Sequence, residues 1–139
     1  MSIIVPNEGE IELLDKMLKD PLVADEDYIF KLFKNDYTPD GDTTSSDFDE
    51  ADFTNYVSKT LTRANFGSAS LNVSNEAETT YSSELSWTCG ATGNTIYGSY
   101  VLGETSLKVL WTERFPTARV MTNTDVLKIT PTFTFRSQN

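Results

Sequence analysis

The chain has 139 residues, enough for one domain with a sizeable core and too few for two ordinary ones. Its net charge of −10, from 21 Asp/Glu against 11 Lys/Arg, repels nucleic acid and anionic membrane surfaces, so neither is expected as a partner. It carries no histidine and a single cysteine, Cys89, which excludes Ser-His-Asp and Cys-His catalysis, the usual zinc ligand sets and an intrachain disulfide.

Met1 to Pro6 lacks the basic start and long apolar stretch of a signal peptide, and no apolar run reaches the roughly 18 residues that span a bilayer. Synthesis in a reducing cytoplasm is expected. Ile3, Ile4, Val5 and Pro6 form an apolar arm ahead of a predicted helix. Asn7 is a good N-cap, and Glu10 three residues later completes a capping-box-like pair. Glu8, Glu10 and Glu12 near the start and Lys16 and Lys19 near the end complement the helix dipole. Ile11, Leu14 and Leu18 fall on one face with Leu13 and Met17 beside it, and Asp20-Pro21 ends the helix. Such an arm needs a surface, either the chain's own core or a neighbouring subunit. Residues 1–20 are therefore taken as arm and helix, and residues 21–139 as the body of one structural domain.

Tyr28 to Lys34 has aromatic and branched residues at nearly every place and predicts a strand. Asn35 to Ser46, with Pro-Asp-Gly, is a loop. One helical turn is expected over Asp47 to Phe53, and a weakly patterned strand over Thr54 to Arg63. Ser70 to Val73 and Thr79 to Thr88 read as strands, the latter placing Leu85, Trp87 and Cys89 on one side. Gly90 to Asn94 is a turn, and Thr95 to Leu102 follows as the second strand of an expected hairpin. Leu107 to Phe115 predicts another strand, interrupted by Pro116, with a short piece at Arg119 to Met121. Val126 to Phe135 closes the chain, and Pro131 implies an edge or a bulge there. Short strands between turns, with one N-terminal helix, predict a mainly β fold: an antiparallel β-sandwich, jelly-roll-like, with an N-terminal arm and one short helix.

Charge is uneven along the chain. Residues 1–52 hold 15 acidic and 4 basic side chains, the remainder 6 and 7. The acidic third is either a solvated face or an interaction surface. Asp36, Asp40, Asp42, Asp47 and Asp49 crowd one loop region; their oxygens suit Ca²⁺, but the spacing does not match an EF-hand, and no metal site or cofactor is assigned. Gly90-Ala91-Thr92-Gly93 lacks the lysine of a phosphate loop. Asn72-Val73-Ser74 fits a glycosylation pattern that carries weight only in a secreted chain. Trp87, Tyr97, Tyr100 and Trp111 are either core residues or a sugar-stacking platform. Cys89 reads as a small buried hydrophobe.

Four blocks carry a resemblance: Val5 to Asp20, Tyr28 to Pro39, Ser86 to Gly98 and Asp125 to Phe135. In this order, over nearly the whole chain, they resemble small structural proteins of tailed bacteriophages. The resemblance implies a non-enzymatic virion protein, foremost a capsid decoration or cement protein on the outer surface of a phage head. It brings no catalytic residues. Its implied partners are the major capsid protein and further copies of the chain, as a dimer or trimer, with Ile3, Ile4, Val5 and Pro6 as candidate partner-binding residues. A second reading is a tail-, neck- or fibre-associated module that recognises a host glycan, which requires exposed aromatics. A third, a small carboxylate hydrolase, requires two carboxylates set across a sugar-sized cleft.

Overall fold

The computed structural model describes residues 3–18 and 26–135. Helix α1 spans Asn7–Leu18; the strands are β1 Tyr28–Phe33, β2 Lys59–Leu61, β3 Ser70–Leu71, β4 Ala77–Thr80, β5 Leu85–Thr88, β6 Thr95–Gly103, β7 Val109–Val120, β8 Val126–Ile129 and β9 Thr132–Phe135. All pairings are antiparallel and form three sheets, ordered β2-β1-β6-β7, β3-β4-β9 and β5-β8. The two small sheets cover one face of the large one, giving an antiparallel β-sandwich. The expected mainly β class with one helix is what the chain adopts.

Between the layers lies the main core. Phe30 and Leu32 from β1, Val101 from β6 and Trp111 from β7 meet Leu85 and Trp87 from β5 and Leu127 from β8. The Phe30 and Trp87 rings lie 5.9 Å apart, and the Trp111 and Phe133 rings 4.8 Å apart. The opposite face of the large sheet is buried too. There Phe33, Tyr100, Leu102 and Val109 are covered by Phe48 from the loop that follows β1, with the Phe48 and Tyr100 rings stacked at 4.3 Å. Burial on both faces explains why Tyr28 to Phe33 is apolar at every place but Lys31 and shows no strict alternation.

Several local expectations are corrected. The carbonyl of Pro6 accepts the first helical bond, from the Glu10 N–H at 2.9 Å, so Pro6 occupies the cap position and Asn7 the first helical one. The Asn7 side chain donates to Asp42 instead of capping, because the 40–42 loop supplies the helix end with an acceptor, the Gly41 carbonyl at 2.8 Å from the Asn7 N–H. Ile11 is 63% exposed and takes no part in docking the helix. Gly9 is buried against β7, with room for no side chain: a Cβ there would lie 2.4 Å from the Val109 carbonyl oxygen. The side chains of Leu14, Met17 and Leu18, the end at Asp20-Pro21 and Lys19 lie outside the described residues.

The expected hairpin does not form, although both of its strands do. β5 pairs with β8, and β6 pairs with β1 and β7. The Gly90–Asn94 turn crosses between layers: Gly90 and Thr92 bond Thr54, and the Met121 N–H bonds the Asn94 carbonyl. Gly93 makes that crossing possible, since a Cβ there would fall 1.8 Å from the Met121 carbonyl oxygen. The Thr79–Thr88 stretch is two strands, β4 and β5, in different sheets. Pro116 does not interrupt β7. The register jumps from Gly98 opposite Arg114 to Ile96 opposite Arg119, and the proline sits in that bulge, where no ladder donor is needed. Pro131 divides the last stretch into β8 and β9, which join different sheets, while its carbonyl still accepts the Tyr81 N–H at 2.8 Å. The helical turn lies at Ser45–Asp47, ahead of the expected Asp47 to Phe53, and only Lys59–Leu61 of the Thr54 to Arg63 stretch is strand. Leu107 belongs to the β6–β7 turn, at φ 57°, and not to a strand.

Candidate functional site

The arm is placed against the body's own edge. Ile4 and Thr112 exchange both backbone hydrogen bonds at 2.9 Å, which extends the large sheet beyond β7. Ile3 and Val5 pack against the main core and Pro6 is buried. Directly after the arm, the Glu8 carboxylate accepts the Val109 N–H at 2.9 Å and faces Lys108 at 3.7 Å. The four candidate partner-binding residues are thus brought together, as one extended segment closing an edge that would otherwise show unpaired backbone groups.

Four carboxylates of the acidic loop are spent on hydrogen bonds and an ion pair within the chain. Asp40 accepts the Asp42 N–H at 3.0 Å and the Thr43 hydroxyl at 3.2 Å. Asp47 accepts the Thr44 N–H at 2.8 Å, and Asp42 accepts from Asn7 at 3.1 Å. Asp36 pairs with Arg114, whose guanidinium also donates to the Tyr37 carbonyl at 2.7 Å and lies over the Tyr97 ring. Asp40 and Asp47 face their own turns, whereas Asp42 and Asp36 reach Asn7 and Arg114, so these four carboxylates are spent on different partners. Among the described residues no group of three Asp, Glu, Cys or His side chains is placed to hold a metal ion.

A shallow hollow lined by Glu50, Asp52, Phe53, Tyr56 and Val57 adjoins a cluster of polar side chains. Lys31 bonds Glu50 at 2.9 Å, and the Tyr56 hydroxyl donates to Glu50 at 3.1 Å while accepting the Leu32 N–H at 3.1 Å. Lys34 bonds Asp52 at 2.7 Å, and Asn94 donates to the same carboxylate at 3.0 Å. Burial pushes the Tyr56 phenol well above its usual range, so it stays a hydroxyl donor at neutral pH. The Lys34 hydrogen bond pulls Asp52 down, and the Asp52 bond raises Lys34. Each carboxylate bonds its own lysine, an arrangement that ties the 50–58 segment to β1 and the residue that follows it. Sequence reasoning did not single out Glu50 or Tyr56. Lys31 and Glu50 are 19 residues apart, and no spacing marks them.

A second polar clasp was also without sequence signal. Glu26 is buried, and its carboxylate accepts the N–H of Thr105 at 2.7 Å and of Ser106 at 3.1 Å, together with the Ser106 hydroxyl at 3.2 Å. It fixes the β6–β7 turn. Of the four candidate platform aromatics, Trp87, Tyr100 and Trp111 are 2%, 3% and 8% exposed and belong to the core. The Trp87 indole N–H donates to the Val57 carbonyl at 2.8 Å. Only Tyr97 is half-buried, beneath Arg114. Cys89 is buried, as expected. Among the described residues no helix is long and apolar enough to cross a membrane. No protein-family model matches the chain, and no curated protein matches it.

Proposed function

We propose that the chain is a non-enzymatic structural protein of a virion, foremost a jelly-roll-like capsid decoration or cement protein on the outer surface of a phage head. The observation that carries this reading is how the polar groups are used. Glu8, Glu26, Asp36, Glu50 and Asp52 each tie a distant loop or helix to the body. A body whose loops are held this way is preorganised to present a surface, which lowers the ordering cost of binding a lattice partner. The four sequence blocks that resemble small phage structural proteins support the same reading. The partners it implies are the major capsid protein and further copies of the chain. The acidic residues 1–52, with 15 carboxylates, fit a basic rim on such a shell.

The glycan-binding alternative loses its support at the aromatics, since three of the four are spent inside. The test is copy number. Particles containing this chain are purified, and the chain is quantified against the major capsid protein by mass spectrometry. A ratio near one to one is expected. A handful of copies per particle moves the protein to the tail or neck, and absence from particles overturns the virion reading.

A further inference from the structure

Two edges of the sandwich, those of β7 and β9, are treated differently. The β7 edge of the large sheet is closed by the arm through Ile4. The outer edge of β9 pairs with no strand among the described residues. Tyr81 bonds the Pro131 carbonyl, and in antiparallel alternation Phe133 and Phe135 then bond toward β4, opposite Thr79 and Ala77. The N–H and C=O groups of Thr132 and Thr134 consequently point outward, away from the rest of the sheet. Native edges are usually blunted by a charged side chain, a proline or a bulge. Thr132–Phe135 has none of the three.

The strand also has two distinct faces. Phe133 reaches Trp111 in the core. Phe135 lies on the same face, 6.3 Å from Phe133 between ring centres, and is 60% exposed. Its direct neighbours across the sheet, Ala77 and then Leu71, continue an exposed apolar strip. The opposite face carries Thr132 and Thr134, whose hydroxyls bond Thr80 and Glu78.

We propose that the free edge of β9 pairs antiparallel with β9 of a second copy, about a two-fold axis through Phe133. Three observations select a second copy as the occupant. The Thr-Phe-Thr-Phe alternation is self-complementary: with Phe133 opposite Phe133, Thr132 of one copy faces Thr134 of the other, and the phenylalanine faces of both sheets stay together. That register satisfies all the outward groups of Thr132 and Thr134 through roughly four backbone hydrogen bonds, and it sets each exposed Phe135 over the other copy's Pro131. The strand also carries no charged side chain. In a chain of net charge −10 it brings no like charges of its own to the joint, and the Glu78 carboxylate on the neighbouring strand is bonded by the Thr134 hydroxyl. A two-fold, isologous contact is the commonest closed symmetry.

The contact is small, so association is expected in the roughly micromolar to submillimolar range. Sedimentation of the full chain from about 10 μM to 1 mM is expected to show a reversible monomer–dimer equilibrium. Over that range the Thr132 and Thr134 amides should gain protection from hydrogen exchange. Thr134→Pro removes an outward N–H while leaving the backbone bonds to β4, and Phe135→Asp adds a carboxylate at the joint of each copy. Each should weaken the dimer by about tenfold or more, and Phe135→Asp serves if the proline variant fails to fold. A chain that stays monomeric at about 1 mM, a dimer of unchanged affinity in Phe135→Asp, or Thr132 and Thr134 amides that exchange at the same rate at every concentration overturns the proposal. This result is independent of copy number in particles, so the two readings fail separately.

Discussion

Glu113 shares a face of β7 with Trp111, opposite Ser99, and burial pushes its carboxyl up from the ordinary value of 4.5. The folded state therefore holds this proton more tightly than the unfolded one. Above the raised folded value the side chain is charged in both states, and its desolvation opposes folding. Below about 4.5 it is neutral in both, and the cost disappears. Glu113→Gln should raise Tm at pH 7, with the gain shrinking toward zero as pH falls below 4.5. Calorimetry of both proteins at the two ends of that range checks it, and a pH-independent difference would rule the linkage out. Asp125 has the opposite sign. The Thr122 N–H and hydroxyl, both at 2.9 Å, hold its carboxyl low, so its stabilisation is present at neutral pH and is lost as pH falls through the folded value. At this scale bulk and polarity were readable from the chain: Trp87, Trp111 and Cys89 are buried because large or soft apolar groups leave water. The clasp of Glu26 on Thr105 and Ser106 was not, because a carboxylate's type says nothing about a turn 79 residues away.

Helix α1 is amphipathic in sequence, yet it docks through its smallest residue. Gly9 lets the backbone approach the Val109 and Leu110 carbonyls, and the Glu8 carboxylate bonds the Val109 N–H beside it. In an isolated helix Gly9→Ala would stabilise by about 1 kcal/mol. Here the added Cβ meets rigid strand backbone, so the same change is expected to cost roughly 1–3 kcal/mol. Chemical denaturation gives the sign directly: a more stable Gly9→Ala variant would mean that α1 does not sit on β7 in this way. The apolar period predicted that a helix forms. It grouped Ile11 with the apolar face because a period reports the average of a face, whereas the close approach to β7 needs a residue without a side chain. The same limit explains β5 and β6. Their strand character is local, but the partner of each is chosen by burial across the sandwich.

At the level of the whole molecule, the arm decides how the body is closed. Removing residues 2–6 deletes two backbone hydrogen bonds to Thr112 and the packing of Ile3, Val5 and Pro6. A loss of roughly 2–4 kcal/mol is expected, seen as a Tm drop of about 5–15 °C. An unchanged Tm would return the arm to gripping a partner only. The mainly β class, the single N-terminal helix, the bounds of β1 and β6 and the inward side of β5 follow from local chemistry: side-chain period, β-branching, and the turn preferences of glycine, proline and asparagine. Those properties act over a few neighbouring residues, so any reader of the chain has them. Which strands pair, where Pro116 is tolerated, and which carboxylates become staples follow only from the folded chain. The bonds concerned join residues far apart, Glu8 to Val109 across 101 positions and Glu26 to Thr105 across 79. Such pairings are chosen by which surfaces the sandwich buries together, and no stretch of residues carries that information by itself.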